Sequence, residues 1–221
     1  MRNQLVTGLA IILVVGLGSA ASAGVEKGEL LIAPRGSLGV PVGEYPITGR
    51  EWSYLKDDVK TGFAFGVLVD KMVSARLSVG AQFDYNVSAI GADDLQLPPA
   101  QGANSVEPDF SWKTLEVTGH ARYYFLPAQP VTFFAHLGAG AYVNKFSPNW
   151  IIHGSYGLSQ DLRRSQSKTN LGLNAGPGVM LRLSPTARLS LEALFNNVFT
   201  PNQNTRYLNI TAGLVFGLLP E

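Results

Sequence analysis

The chain contains no cysteine. A disulfide framework, a thiol nucleophile and a thiolate-bound metal are therefore excluded. Charge is also sparse, with Asp, Glu, Lys and Arg making up 15% of the residues against about a quarter in ordinary soluble domains. The formal net charge is only +1, which leaves no electrostatic footprint for a nucleic acid. Beyond the N-terminal region no apolar run approaches the length of a transmembrane helix. What is abundant is hydrophobic residues, at 46%, and glycine, at 24 residues. That mixture does not describe a disordered chain, and it fits a protein whose outside is partly apolar.

Residues 1–23 read as a cleaved signal peptide. Arg2 supplies a positive start, Leu9 to Leu17 an apolar stretch, and Ala21-Ser22-Ala23 a small-residue cleavage site. An uncleaved anchor is the alternative, but the apolar stretch is short and the small residues follow it at once. Loss of Arg2 with this segment leaves residues 24–221 formally neutral, as a single domain.

That domain alternates with period two. From Lys113 to Phe125 one parity holds Leu115, Val117, Gly119, Ala121, Tyr123 and Phe125, and the other holds Thr114, Glu116, Thr118, His120, Arg122 and Tyr124. A helix would scatter these residues around its axis. Similar alternation runs through Ala75–Ser88, Val131–Asn144, Asn170–Leu183, Arg188–Phe199 and Tyr207–Leu218. It is weaker in Thr61–Asp70 and in Leu30–Val42, where Pro34 and Pro41 belong only at strand ends, edges or bulges. The expected architecture is all-β: an eight-stranded antiparallel up-and-down transmembrane barrel. Most segments are longer than the roughly 9–11 residues that cross a bilayer as a tilted strand. Closure follows because hydrocarbon offers no partner to an open edge.

The connections support this orientation. Lys71–Ser74, Leu126–Pro130 and Ser184–Ala187 are tight, while Gly43–Lys60, Ala89–Ser111 and Lys145–Ser167 are long and polar. Short turns on one side and long loops on the other characterise an outer-membrane barrel with both termini periplasmic. A soluble eight-stranded barrel would have an apolar interior and a polar exterior. It would give no reason for Tyr and Phe to gather at strand ends, where interfacial girdles need them.

The run Tyr123-Tyr124-Phe125, followed after a short turn by Phe133 through Gly138-Ala139-Gly140-Ala141-Tyr142, resembles the small outer-membrane β-barrel superfamily of OmpA-barrel, OmpX and OmpW-like "porin family" proteins. Arg76-Leu77-Ser78-Val79-Gly80 and Arg188-Leu189-Ser190-Leu191-Glu192 resemble it too. The resemblance spans the whole of residues 24–221. It implies location in the cell outer membrane, contact with outer-membrane lipids and lipopolysaccharide, and recognition of the last strand by the barrel-insertion machinery. That strand carries Leu208, Ile210, Ala212, Leu214 and Phe216, then continues to Glu221 where the family pattern ends on an aromatic.

Two groups of residues are candidates for function. Arg76, Asp84, Glu116, Arg122, Arg182 and Glu192 fall on the charged parity and predict a lumenal ion-pair network. Such a network either plugs the narrow lumen or, by exchanging partners, gates a small passive channel for ions or small amphiphiles. Trp150, Arg163 and Arg164 in the third long loop predict a surface for an unidentified ligand or for lipopolysaccharide phosphates. His120 and His136 are expected on adjacent strands, but two histidines without a third ligand do not make a metal site, and no cofactor is implied. His153-Gly154-Ser155 places a nucleophile near a base, as a lipid-A-modifying enzyme would need, but on a loop poorly suited to a triad. The reading is a non-catalytic envelope or surface-interaction protein that has no nucleic-acid partner.

Overall fold

In the computed structural model, residues 27–43, 59–90, 103–127, 129–154, 159–163, 165–201 and 204–218 are described. The signal peptide of residues 1–23 lies outside them. The strands are β1 (Leu30–Pro41), β2 (Gly62–Ser74), β3 (Leu77–Ile90), β4 (Ala103–Tyr124), β5 (Val131–Gly154), β6 (Ser159–Arg163), β7 (Gln166–Arg182), β8 (Ala187–Val198) and β9 (Thr205–Leu218). All pairings are antiparallel. They run β4-β3-β2-β1-β9-β8-β7-β5, and β4 pairs with β5 to close the ring at eight strands, with β6 added to β5 outside it. Every strand of the ring thus has a neighbour on both sides, which is what a hydrocarbon environment demands of the backbone.

Pro34 and Pro177 each sit where one ladder is interrupted, while Pro41 ends β1 opposite Tyr207. Pairing of β1 with β9 skips Ala33 and Pro34 and resumes at Arg35↔Gly213 in the same register. Pairing of β7 with β8 skips Gly176 and Pro177 and resumes at Gly178↔Glu192. A residue without an N–H costs a local bond there and leaves the register intact.

The parity read from sequence separates wall from lumen. Phe63, Phe65, Val117, Phe133, Leu137, Leu171 and Ile210 point outward and are exposed. The opposite parity is buried and unusually polar, with Asp84, Thr114, Glu116, Arg122, Asn174, Glu192 and Asn209 all inside. Glycines on the inner parity make room for bulky neighbours. A Cβ on Gly178 would run into the ring of Phe134, its partner on β5, and one on Gly172 would meet the ring of Tyr142.

The strands exceed the sequence expectation on the side of the long loops. β4 begins at Ala103 rather than near Lys113, and β5 runs to Gly154 rather than Asn144. The last β3 partner of β4 is Phe110, so among the described residues 103–109 pair with β5 alone. At about 3.4 Å per residue this part beyond the ring is roughly 24 Å long. Above Phe146, β5 leaves β7 and pairs with β6 instead. The result is a three-stranded antiparallel extension of the barrel. Pro108 and Pro148, together with the scattered charges of this region, mask the alternation in sequence. The five residues of β6, Ser159 to Arg163, carry no period-two pattern of apolar residues.

Candidate functional site

From the end with the short turns upward, the lumen is filled in layers. Lowest is an apolar cluster of Leu31, Ala33, Leu68, Met72, Tyr124, Phe134, Met180 and Val215. Beside it, Arg188 of β8 donates from Nη1 to Glu29 Oε1 at 2.8 Å, tying the segment before β1 to the opposite end of the chain.

Above the cluster lies a continuous chain of buried charges. His120 Nε2 is 2.7 Å from Asp70 Oδ1. Asp70 Oδ2 lies 3.4 Å from Arg122 Nη1. Arg122 Nη2 donates to Glu192, whose other oxygen is 4.0 Å from Arg35 Nη1. Arg35 in turn grips Asp84 with two nitrogens, Nε at 2.9 Å and Nη2. Asp84 is the cross-strand partner of Glu116. The partners come from β1, β2, β3, β4 and β8, so the chain laces the wall together through its interior. Pairing is what makes such burial tolerable.

The Glu116 carboxylate is held by neutral donors. Gln82 Nε2 and Asn174 Nδ2 (2.7 Å) donate to Oε1, Tyr142 OH lies 3.2 Å from the same oxygen, and Tyr207 OH is 3.5 Å from Oε2. Higher still, Thr114 Oγ1 donates to Asn144 Oδ1 at 2.8 Å, and the rings of Phe110 and Phe146 meet edge to face.

Of the six residues expected in a lumenal network, the structure brings Asp84, Glu116, Arg122 and Glu192 into this layer. Arg76 is a correction. β3 starts at Leu77, so Arg76 falls in the β2–β3 turn, exposed on the short-turn rim. Arg182 is the last residue of β7, half-buried at that rim, where its Nε donates to the Ser184 carbonyl at 3.3 Å. Strand ends, which parity alone cannot locate, set both differences. Sequence reading missed Arg35 and Asp70. Arg35 sits in the proline-broken first strand, and Asp70 stands at what was read as the end of the second. Counting parity onward from Ala64 and Leu68 would have placed Asp70 inside.

His120 and His136 do meet, with ring centroids 4.7 Å apart and planes 22° apart. One nitrogen of each is turned to another partner, His120 Nε2 to Asp70 and His136 Nδ1 to Arg122 and Glu192. His136 Nδ1 accepts from Arg122 Nε at 3.3 Å and lies 3.5 Å from Glu192 Oε2. Stacked rings do not aim their lone pairs at one point. Among the described residues no group of three His, Asp or Glu could hold a metal ion in the usual way.

Trp150 and Arg163 are not in an irregular loop. Trp150 is in β5, paired with Pro108 and Leu162, and Arg163 closes β6 opposite Asn149. His153 lies in β5 as well. Arg164 and Ser155 lie outside the described residues. An apolar hollow of about 770 Å³, bordered by Leu38, Phe63, Phe133, Pro177, Leu191 and Ile210, opens on the outer wall and is not a passage through the lumen.

Residues 9–217 match the model of the outer membrane protein β-barrel domain. Similar solved structures include a major outer membrane protein from Thermus thermophilus, at 13% identity over 86% of this chain and 99% of that one, with a TM-score of 0.53. OprG from Pseudomonas aeruginosa is 12% identical over 89% and 99% of the two chains, with a TM-score of 0.47. Ail, the attachment invasion locus protein of Yersinia pestis, solved in complex with the heparin analogue sucrose octasulfate, is 19% identical over 86% and 99%, with a TM-score of 0.47. No curated protein matches the chain.

Proposed function

Because this chain belongs to the outer membrane protein β-barrel domain family and resides in the outer membrane, we propose that it is a non-catalytic surface-interaction protein, a closed barrel that carries the β4–β5–β6 extension above the membrane. The observation that carries this reading is a contrast. The lumen is filled from the apolar cluster around Phe134 to the Phe110–Phe146 pair, while two strands run well beyond the ring into a sheet with β6. A filled interior serves rigidity, and a sheet held on a rigid scaffold is where binding residues concentrate. Trp150 and Arg163 belong to that region and, with Arg164 next in sequence, are its proposed contacts, with lipopolysaccharide phosphates or a surface ligand as partners. Acyl chains surround the wall, and β9 is the proposed signal to the insertion machinery.

Two measurements on purified protein and on cells test this. In planar bilayers the protein should show no stepwise conductance. A variant in which short turns replace residues 103–109 and 147–164 should fold and insert. Cells with the parent chain should attach to immobilised host matrix, and cells carrying this variant should not. Steady single-channel steps from the parent protein would favour the alternative, a small passive channel. An acyl change in lipopolysaccharide that Ser155→Ala abolishes would favour an enzyme.

A further inference from the structure

Two lysines face each other on the outside of the barrel. Lys113 of β4 and Lys145 of β5 are direct cross-strand partners, on the outward parity of Val117 and Leu137. Direct partners hold their Cβ atoms about 4.5–5.5 Å apart, and like charges so placed repel. Lys145 is exposed and Lys113 half-buried. Among the described residues neither lysine is ion-paired. The first acidic residue of their parity on either strand is Asp109, four places above Lys113 and about 14 Å away along the strand.

The height of the pair on the wall is fixed by what lies below it. The outward positions from Leu115 to Phe125, and from Phe133 to Val143, carry no charge. Those ten steps, at about 3.4 Å each and a tilt of about 40°, rise roughly 26 Å, against about 25 Å for the apolar band of an outer-membrane barrel. The next outward position on both strands is a lysine, so the pair stands at the level of the lipid headgroups. Its row reads Val87–Lys113–Lys145–Ser167, and the row beneath reads Tyr85–Leu115–Val143–Thr169, with Ser167 and Thr169 exposed. Below Lys145 the outward residues of β5 shrink to Val143, Ala141 and Ala139, between Val117 on β4 and Leu171 and Leu173 on β7. Gly119 is the partner of Ala139, and a Cβ there would meet only the Gly80 carbonyl, at 3.9 Å. A shallow furrow therefore runs down the wall from the two ammonium groups.

We propose that Lys113 and Lys145 together bind one phosphomonoester of an outer-leaflet glycolipid, with an acyl chain of that lipid in the furrow below. A phosphomonoester carries nearly two negative charges at neutral pH, which matches two ammonium groups. A phosphodiester carries one and leaves a lysine uncompensated. Ser167 and Thr169 flank the lysines with hydroxyl donors, as a headgroup rich in oxygen requires. The site is separate from the β4–β5–β6 extension. It rests on the reading that the long loops are extracellular only for the choice of leaflet, and impermeant labelling of Glu107→Cys tests that reading by itself.

The test is the urea unfolding midpoint of the full chain in phosphatidylcholine vesicles that hold a rising mole fraction of bisphosphorylated lipid A in both leaflets, at fixed ionic strength. With lipid A in both leaflets the outcome does not depend on orientation. The parent chain should show a saturable rise. The double variant Lys113→Gln, Lys145→Gln should need roughly 30-fold more lipid A for half of that rise. The double variant Lys113→Arg, Lys145→Arg should keep the parent response. Without lipid A the double Gln variant should be at least as stable as the parent, since it loses a like-charge pair. If it does not insert, Lys145→Gln decides alone, with a shift of about fivefold. An unaltered titration in the Gln variants would overturn the proposal. So would an equal rise from phosphatidylglycerol at matched charge, from dephosphorylated lipid A, or from inorganic phosphate added to plain vesicles.

Discussion

Arg122 of β4 and Glu192 of β8 form a buried ion pair across the lumen, between strands three places apart in the ring. Arg122 also lies over the ring of Phe134, 5.0 Å from its centroid, so the ionic layer rests directly on the apolar cluster below. Because Glu192 also faces His136 and Arg35, a single side chain collects three positive or titratable partners.

Removal of one partner leaves the other charged and buried, so Arg122→Met or Glu192→Leu should each destabilise the barrel by about 3–5 kcal/mol. The double variant should be less damaging than the sum of the two. Denaturant unfolding of protein refolded into lipid vesicles measures all three. Additive effects would mean that the pair contributes no coupling.

Gly178 is a packing site. A Cβ there enters the ring of Phe134 on the neighbouring strand, so Gly178→Val should overpack the apolar cluster and cost about 1–3 kcal/mol. Combining it with Phe134→Leu should recover part of the loss, whereas Gly36→Ala, on the outer wall with open space around it, should be nearly silent. The same vesicle assay distinguishes these outcomes.

Leu137 is 62% exposed, on the outward parity and near the middle of the part of β5 that pairs with β7, Val131 to Phe146. In a bilayer, Leu137→Arg should cost about 2–4 kcal/mol. On the surface of a water-soluble barrel the same change would be nearly free. Unfolding measurements in vesicles against the parent chain give the answer.

Since the chain has no cysteine of its own, single cysteines report topology cleanly. Glu107→Cys in the β4 extension should react with a membrane-impermeant maleimide on intact cells. Ser184→Cys in the β7–β8 turn should react only after the outer membrane is permeabilised. The reverse pattern would turn the barrel over.

Most of the fold could be read from the residues because side-chain parity is a local property. Val117 and Glu116 point to opposite sides whatever the rest of the chain does. The existence of eight membrane strands, the short turns and the apolar wall follow from that alternation and from the cost of unpaired backbone in hydrocarbon. What local pattern could not show was where strands stop once they leave the membrane. The upper parts of β4 and β5 carry Pro108 and Pro148, and β6 has no apolar face, so nothing periodic marks them.

The residues alone therefore settled which faces meet lipid and which face the lumen, and left the partners inside open. That Arg122 meets Glu192 and Asp70, that Arg35 reaches Asp84, and that Glu116 is held by amides and phenols depends on which strands lie across from one another. Only closing the ring, in one register, brings distant strands within side-chain reach. That geometry is a property of all eight strands together, and no segment of the sequence contains it.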